Sequence, residues 1–107
     1  MCQYNITEDA ELDLREIARY TLSKFGPKQL EAYRQALNST FNAIGRNDVI
    51  QRQFSIKRLD LLVTKCQHHY VFYIVEGVEK PTVIGVIHEA RDIVVLLTSR
   101  LTGEGEQ

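Results

Sequence analysis

Apolar and polar residues follow two different periods along this chain, and the change of period divides it into two parts. Between residues 8 and 44 the apolar positions recur every three or four residues; from about residue 58 they crowd into short β-branched and aromatic runs. The first pattern marks the buried face of a helix, and the second, when bounded by turn residues, marks strands. Ala10, Leu14, Ile17, Ala18, Thr21 and Phe25 form one helical stripe, and Leu30, Tyr33, Leu37, Phe41 and Ile44 form another. Gly26 and Pro27 stand between them. Glycine closes a helix where φ turns positive, and proline suits the first position of the next helix, so the pair predicts a helical hairpin rather than one long helix. Thr7 can cap the first helix, followed by Glu8, Asp9 and Glu11 at the positive end of its dipole. Gln3 to Ile6 reads as a short leading strand, and Gly45 as the stop of the second helix.

The later runs predict a sheet. His68 to Val75 and Pro81 to His88, separated by the turn-rich residues 76–80, read as a β-hairpin. In the first run Tyr70, Phe72 and Ile74 point one way and Val71, Tyr73 and Val75 the other. Strands that are apolar on both faces belong in the middle of a covered sheet. Arg58 to Thr64 predicts the preceding strand, with Lys65-Cys66-Gln67 as the turn. Residues 46–57 show no clean period and read as a polar loop. After Glu89-Ala90-Arg91-Asp92, the positions of Ile93, Leu96, Leu97 and Leu101 fit a short helix, although Val94-Val95 would also suit a strand. The expected fold is α+β. It has an N-terminal strand, an antiparallel helical hairpin packed on a mainly antiparallel sheet, and a short C-terminal helix. Residues 1–101 form a single domain, and residues 102–107 have the composition of a disordered tail. Two helices cover one face of such a sheet. The other face is left partly open, which marks a partner site.

Composition narrows the function. With 107 residues the chain holds one core. It contains no apolar run of the ~18–20 residues that span a bilayer, and no signal-peptide pattern. Its two cysteines, Cys2 and Cys66, are expected to be reduced thiols, which points to a cytoplasmic protein without a membrane partner. The net charge of -1 removes any bulk attraction to nucleic acid. Locally, however, Arg46, Arg52, Lys57, Arg58 and Lys65 outnumber Asp48 and Asp60, while the first sixteen residues are acidic.

Candidate chemistry is sparse. His68 and His69 are neighbours, so in a strand they face opposite sides and cannot share a metal ion. No metal or cofactor site is expected. His88, three residues before Arg91, could bind phosphate or act on RNA; the simpler alternative is a local hydrogen bond at the sheet edge. Tyr70 and Tyr73 could stack on bases, but their apolar neighbours favour packing. No nucleophile motif, phosphate loop or carboxylate pair is present, and nothing identifies a base for Cys66.

Several segments, taken in order, resemble the ParE toxins. Ala10 to Thr21 followed by Phe25-Gly26-Pro27-Lys28-Gln29 is similar to that family's first helix and helix break. Tyr33 and Leu37 match its second helix, His69 to Tyr73 its His-x-Ile/Val-x-Tyr strand, and Ile84 to Ile93 its strand ending in Ile-Leu-His-x-x-Met/Arg-Asp. The resemblance spans roughly residues 5–97 and rests on the ordered set rather than on any one motif.

It implies the ParE/RelE fold and a toxin of a type II toxin–antitoxin pair, of the kind that serves plasmid maintenance. The implied activity is non-enzymatic inhibition of DNA gyrase, neutralised by a cognate antitoxin within a higher-order toxin–antitoxin oligomer. The alternative is a RelE-like, ribosome-dependent mRNA endoribonuclease, with His88 and Arg91 as its remaining candidate groups. The low net charge and the lack of any Tyr after Tyr73 favour the ParE side. On this reading there are no catalytic residues and no direct nucleic-acid binding. The antitoxin is expected on Tyr70, Phe72, Ile84, Val86, Ile93 and Leu97. The target is expected on the basic residues Arg46, Arg52, Lys57, Arg58, Arg91 and Arg100. The loop 46–57 departs from the family pattern in lacking the Pro and Gly common there in ParE.

Overall fold

The computed structural model describes residues 4–56, 59–75, 77 and 80–102. The elements run β1 (Asn5–Ile6), α1 (Glu8–Phe25), α2 (Pro27–Gly45), β2 (Arg52–Ile56), β3 (Leu59–Cys66), β4 (His69–Ile74), β5 (Thr82–His88) and α3 (Ile93–Thr102). The five strands form one sheet in the order β1-β5-β4-β3-β2. All neighbours are antiparallel except β1, which pairs parallel to β5. This is the expected α+β architecture.

The start and break of the helical hairpin are built as their residues dictate. Thr7 holds extended backbone and its hydroxyl accepts from the Ala10 N–H at 3.2 Å. Gly26 takes φ +92°, a conformation that costs a side-chain-bearing residue energy, and its N–H bonds back to the Leu22 carbonyl. Pro27 opens α2 immediately afterwards. Tyr33, Leu37, Phe41 and Ile44 are buried, with Leu30 half-buried at the start of their stripe. They pack with Ala10, Val71, Tyr73, Val83 and Val86 into the core between hairpin and sheet. On α1 the stripe is shallower: Ala10 and Thr21 are buried, Leu14, Ile17 and Ala18 half-buried. Phe25 departs from expectation, being 60% exposed; in the last turn it packs edge-on against Tyr20 instead of entering the core.

Two boundaries also differ from those expected. Residues 52–56 form an edge strand, not a loop. Only Phe54 and Ile56 of β2 turn inward while Gln53 and Ser55 face out, too short an alternation to stand out between charged residues. Lys65 and Cys66 finish β3, and the turn is Gln67-His68, with Gln67 at φ +57°. Cys66 is therefore a buried thiol at the end of a strand, 5% exposed, not a turn cysteine. Cys2, Lys57, Arg58 and residues 103–107 lie outside the described residues.

The sheet's second face is covered in part. After His88 the chain turns, and Asp92 caps α3 by accepting from the Val95 N–H at 3.2 Å. That cap, with Leu96, Leu97 and Leu101 at helical spacing, prevails over the β-preference of Val94-Val95. Leu97 is fully buried with Ile56, Leu61, Phe72, Ile84 and Ile87 in a second core; Phe54, Val63, Tyr70, Ile74 and Ile93 are half-buried around it. The two parities of β4 thus serve two cores, one under each helical layer.

Candidate functional site

The irregular edge of β5 borders a groove. β1 pairs only with Thr82 and Val83, so on the side away from β4 the edge of β5 lacks a strand partner from Ile84 onward. A β-bulge at this point makes Phe72 face Gly85 and Tyr73 face Val83, so that Ile84 is extra. The exposed edge is met by side chains. Asp13 of α1 accepts from the Val86 N–H at 3.0 Å, and Arg100 of α3 donates to the Ile84 carbonyl at 3.2 Å. The two side chains are themselves joined in a two-pronged ion pair at 2.7 and 2.8 Å, largely shielded from water. Asp13 raises the Arg100 pKa further, chiefly through these bonds. Gly85 makes the crossing possible: a Cβ there would stand 2.8 Å from Arg100 Nη1.

Beyond this bridge a groove of about 590 Å³ follows β5 toward His88. It is lined by Glu16, Ile17, Tyr20 and Thr21 of α1, by Tyr33 and His69, and, from beyond β5, by Arg91 and Leu96. The three histidines meet here because His69 pairs with His88 across β4 and β5 and His68 sits in the adjoining turn. The His69 and His88 rings meet edge to face at 5.0 Å. His69 Nδ1 contacts the Tyr33 hydroxyl, which also donates to the Cys66 carbonyl. Burial, then the neighbouring His88 and His68, push the His69 pKa down to about 4, so the ring is neutral at physiological pH. Burial raises that of Tyr33. Both groups are thereby held in their uncharged forms.

At the surface, Glu89 bonds Lys65 at 2.8 Å and His68 at 2.9 Å, which lowers its pKa to about 2. His88 Nδ1 accepts from the Ala90 N–H at 3.0 Å, the local edge bond expected of it. Among the described residues no group of three His, Cys, Asp or Glu could hold a metal ion.

The residues expected to meet the antitoxin divide between the two faces. Tyr70, Phe72, Ile84, Ile93 and Leu97 belong to the core under α3, and Val86 to the core under the helical hairpin. Tyr70 and Ile93 are half-buried; Phe72, Ile84, Val86 and Leu97 are buried in the chain alone. The outer side of α3 instead exposes Val94 and Val95, at 54% and 61%. Of the basic set, Arg46, Arg52 and Arg91 are exposed, whereas Arg100 is held by Asp13 and Ile84. Sequence reasoning did not find the Asp13–Arg100 bridge or the Tyr33–His69 contact. Only the repeated histidines hinted at the second.

The matching of known proteins follows this architecture. The family model described as the ParE toxin of the type II toxin–antitoxin system, parDE, matches residues 4–93, from β1 to the first residue of α3. The chain belongs to the ParE toxin family. It is 32% identical over 103 residues to Toxin ParE of Escherichia coli, a match covering 96% of this chain and all of that one. Its fold also matches a chain of the chromosomal ParDE toxin–antitoxin system from P. aeruginosa, with a TM-score of 0.68 over 82% of this chain and 96% of that one. At 14% identity that last likeness concerns the fold alone. As a ParE-family toxin the chain is one half of a toxin–antitoxin pair. No described helix is long and apolar enough to cross a membrane.

Proposed function

We propose that this toxin acts by binding DNA gyrase, without chemistry of its own, and that a cognate antitoxin neutralises it in a higher-order complex. The observation that carries the reading is the full-length match to Toxin ParE. The groove's charges support it. Of the two arginines lining it, Arg100 is neutralised by Asp13, which leaves Arg91 as the one described lining arginine without a carboxylate partner. A nuclease that grips RNA needs several free cations. Arg46, Arg52 and Arg91, which are exposed, are the described members of the target-binding set, and Lys57 and Arg58 complete it by sequence. The antitoxin is placed on the α3 side of the sheet, at Val94 and Val95 with half-buried Tyr70 and Ile93. Reaching Phe72, Ile84 or Leu97 would require α3 to move.

The ribonuclease alternative rests on His88 and Arg91 sharing one groove. Alanine substitutions separate the two readings. In the inhibitor reading His88→Ala retains toxicity, and Arg91→Ala weakens target association modestly and in a salt-dependent manner. Loss of a catalytic acid or base would instead lower a rate ~10²–10⁴-fold. Ribosome-dependent mRNA cleavage that His88→Ala abolishes would overturn the proposal.

A further inference from the structure

The far edge of the sheet is open. β2 is the last strand in the order β1-β5-β4-β3-β2, and it pairs with β3 residue for residue from Arg52 to Ile56 without a bulge. Alternate residues of such a strand turn their N–H and C=O groups away from the neighbour. Among the described residues those outward groups have no partner. Edges are commonly blunted by a bulge, a proline or several charges. β2 has neither of the first two, and Arg52 is its single charged residue. Just before this edge stands Ile50, 93% exposed, the highest value for any large apolar side chain among the described residues. Its backbone is anchored on both sides. Val49 packs against the core under the helical hairpin, the Thr64 hydroxyl donates to the Ile50 carbonyl at 2.8 Å, and the Tyr73 hydroxyl donates to the Gln51 side chain. A single exposed apolar residue is ordinary on its own. Fixed beside an unpaired strand edge, it completes a docking strip: main-chain bonds along the strand and a side-chain anchor at its start.

Charge selects the occupant. Arg46 and Arg52 flank Ile50 in sequence, are exposed, and form no ion pair among the described residues. Residues 46–60 hold Arg46, Arg52, Lys57 and Arg58 against Asp48 and Asp60. A second copy that paired its β2 antiparallel to this one would set the basic stretch beside its own image, and like charges across a strand pair repel. A nucleic acid would gain from the cations, but its phosphates are repelled by the carbonyls of the edge and Ile50 gives them nothing to bind. An extended protein segment that carries carboxylates and offers an apolar pocket satisfies all three features. The antitoxin is placed on the α3 side, by Val94 and Val95, whereas the loop carrying Ile50 is anchored on the hairpin side through Val49.

We propose that the free edge of β2 and Ile50 form the docking strip for the toxin's protein target. An extended acidic segment of gyrase adds to β2 as a further strand, its carboxylates meet Arg46 and Arg52, and Ile50 enters an apolar pocket at the start of the strip. This deepens the gyrase reading and rests on it.

The test is hydrogen exchange read by mass spectrometry on the toxin alone, with purified gyrase, and with the antitoxin encoded in the adjacent reading frame. With gyrase, the segment 51–56 should exchange at least ~10-fold more slowly, as edge amides do when they gain a strand partner. Ile50→Asp should raise the toxin concentration for half-inhibition of supercoiling about tenfold and Ile50→Leu should not, with circular dichroism and antitoxin affinity unchanged in both. Arg52→Ala should raise it about threefold, an effect that fades at high salt. Inhibition of gyrase by a toxin whose segment 51–56 exchanges as in the free protein overturns the edge assignment and leaves the gyrase reading in place. Absence of any toxin–gyrase binding overturns both. Protection of the segment by the antitoxin and not by gyrase would give the edge to the antitoxin and reject the proposal. A free toxin that self-associates in sedimentation, and that Ile50→Asp returns to the monomer, would give it to a second copy.

Discussion

Arg100 and Asp13 stand 87 positions apart in the chain, yet together they satisfy the edge of one strand. No local pattern announces such a pair: Asp13 reads as one of several early carboxylates and Arg100 as one more basic residue near the end. Arg100→Ala would leave a shielded carboxylate holding only the Val86 N–H. It should cost about 2–4 kcal/mol, measured by urea unfolding. Gly85→Ala should reproduce part of that loss by displacing the guanidinium. An unchanged midpoint in both variants would mean that the bridge contributes nothing. His69 sets a pH dependence of known sign. Its pKa is about 4 when folded against 6.5 for a free imidazole, so between those values the unfolded chain binds a proton that the folded chain refuses. Stability should therefore fall as pH drops from 6.5 to 4. The fall is on the order of 1–2 kcal/mol once the ring's partial exposure is allowed for. Glu89 adds to it lower down, since its stabilisation is complete above 4.5 and is lost as pH falls toward 2. His69→Phe should flatten the upper part of the profile while leaving the lower part in place.

The elements that were legible in sequence are those whose signals are local. Thr7 caps α1, Gly26 and Pro27 turn the hairpin, and the stripe of α2 is buried where its spacing places it. Leu37→Ala should accordingly cost about 2–5 kcal/mol, and an unchanged unfolding midpoint would contradict the packing of α2. β2 was not legible because an edge strand needs only one neighbour and one inward face, and Phe54 and Ile56 are a short signal. α3 was legible as an element, through its leucine spacing, but not in its position. The two-sided apolarity of β4 shows that the second face must be covered without showing by what. Part of that cover is α3 itself, through Leu97. The helix remains apolar outward at Val94 and Val95, so Val95→Lys should leave the folded toxin intact, within ~0.5 kcal/mol. In a binding titration it should weaken antitoxin association at least tenfold. Equal affinity for the two forms would move the antitoxin off α3.

At the scale of the molecule, one sheet is packed between a helical hairpin and a single short helix. The Asp13–Arg100 bridge and the His69–His88 pair both lie along β5. The family was visible in the ordered set of motifs because those residues set the fold: the helix break, the core of α2, and the paired ends of β4 and β5. The groove was not, because α1, β5 and α3 come together only in three dimensions. The action proposed for the toxin is binding gyrase rather than cutting RNA. The direct measurement is a DNA supercoiling assay with purified gyrase and increasing amounts of toxin. Dose-dependent inhibition is expected, retained in His88→Ala and relieved by stoichiometric antitoxin. Undiminished supercoiling at saturating toxin, with a preparation that still binds its antitoxin and still arrests growth, would contradict it.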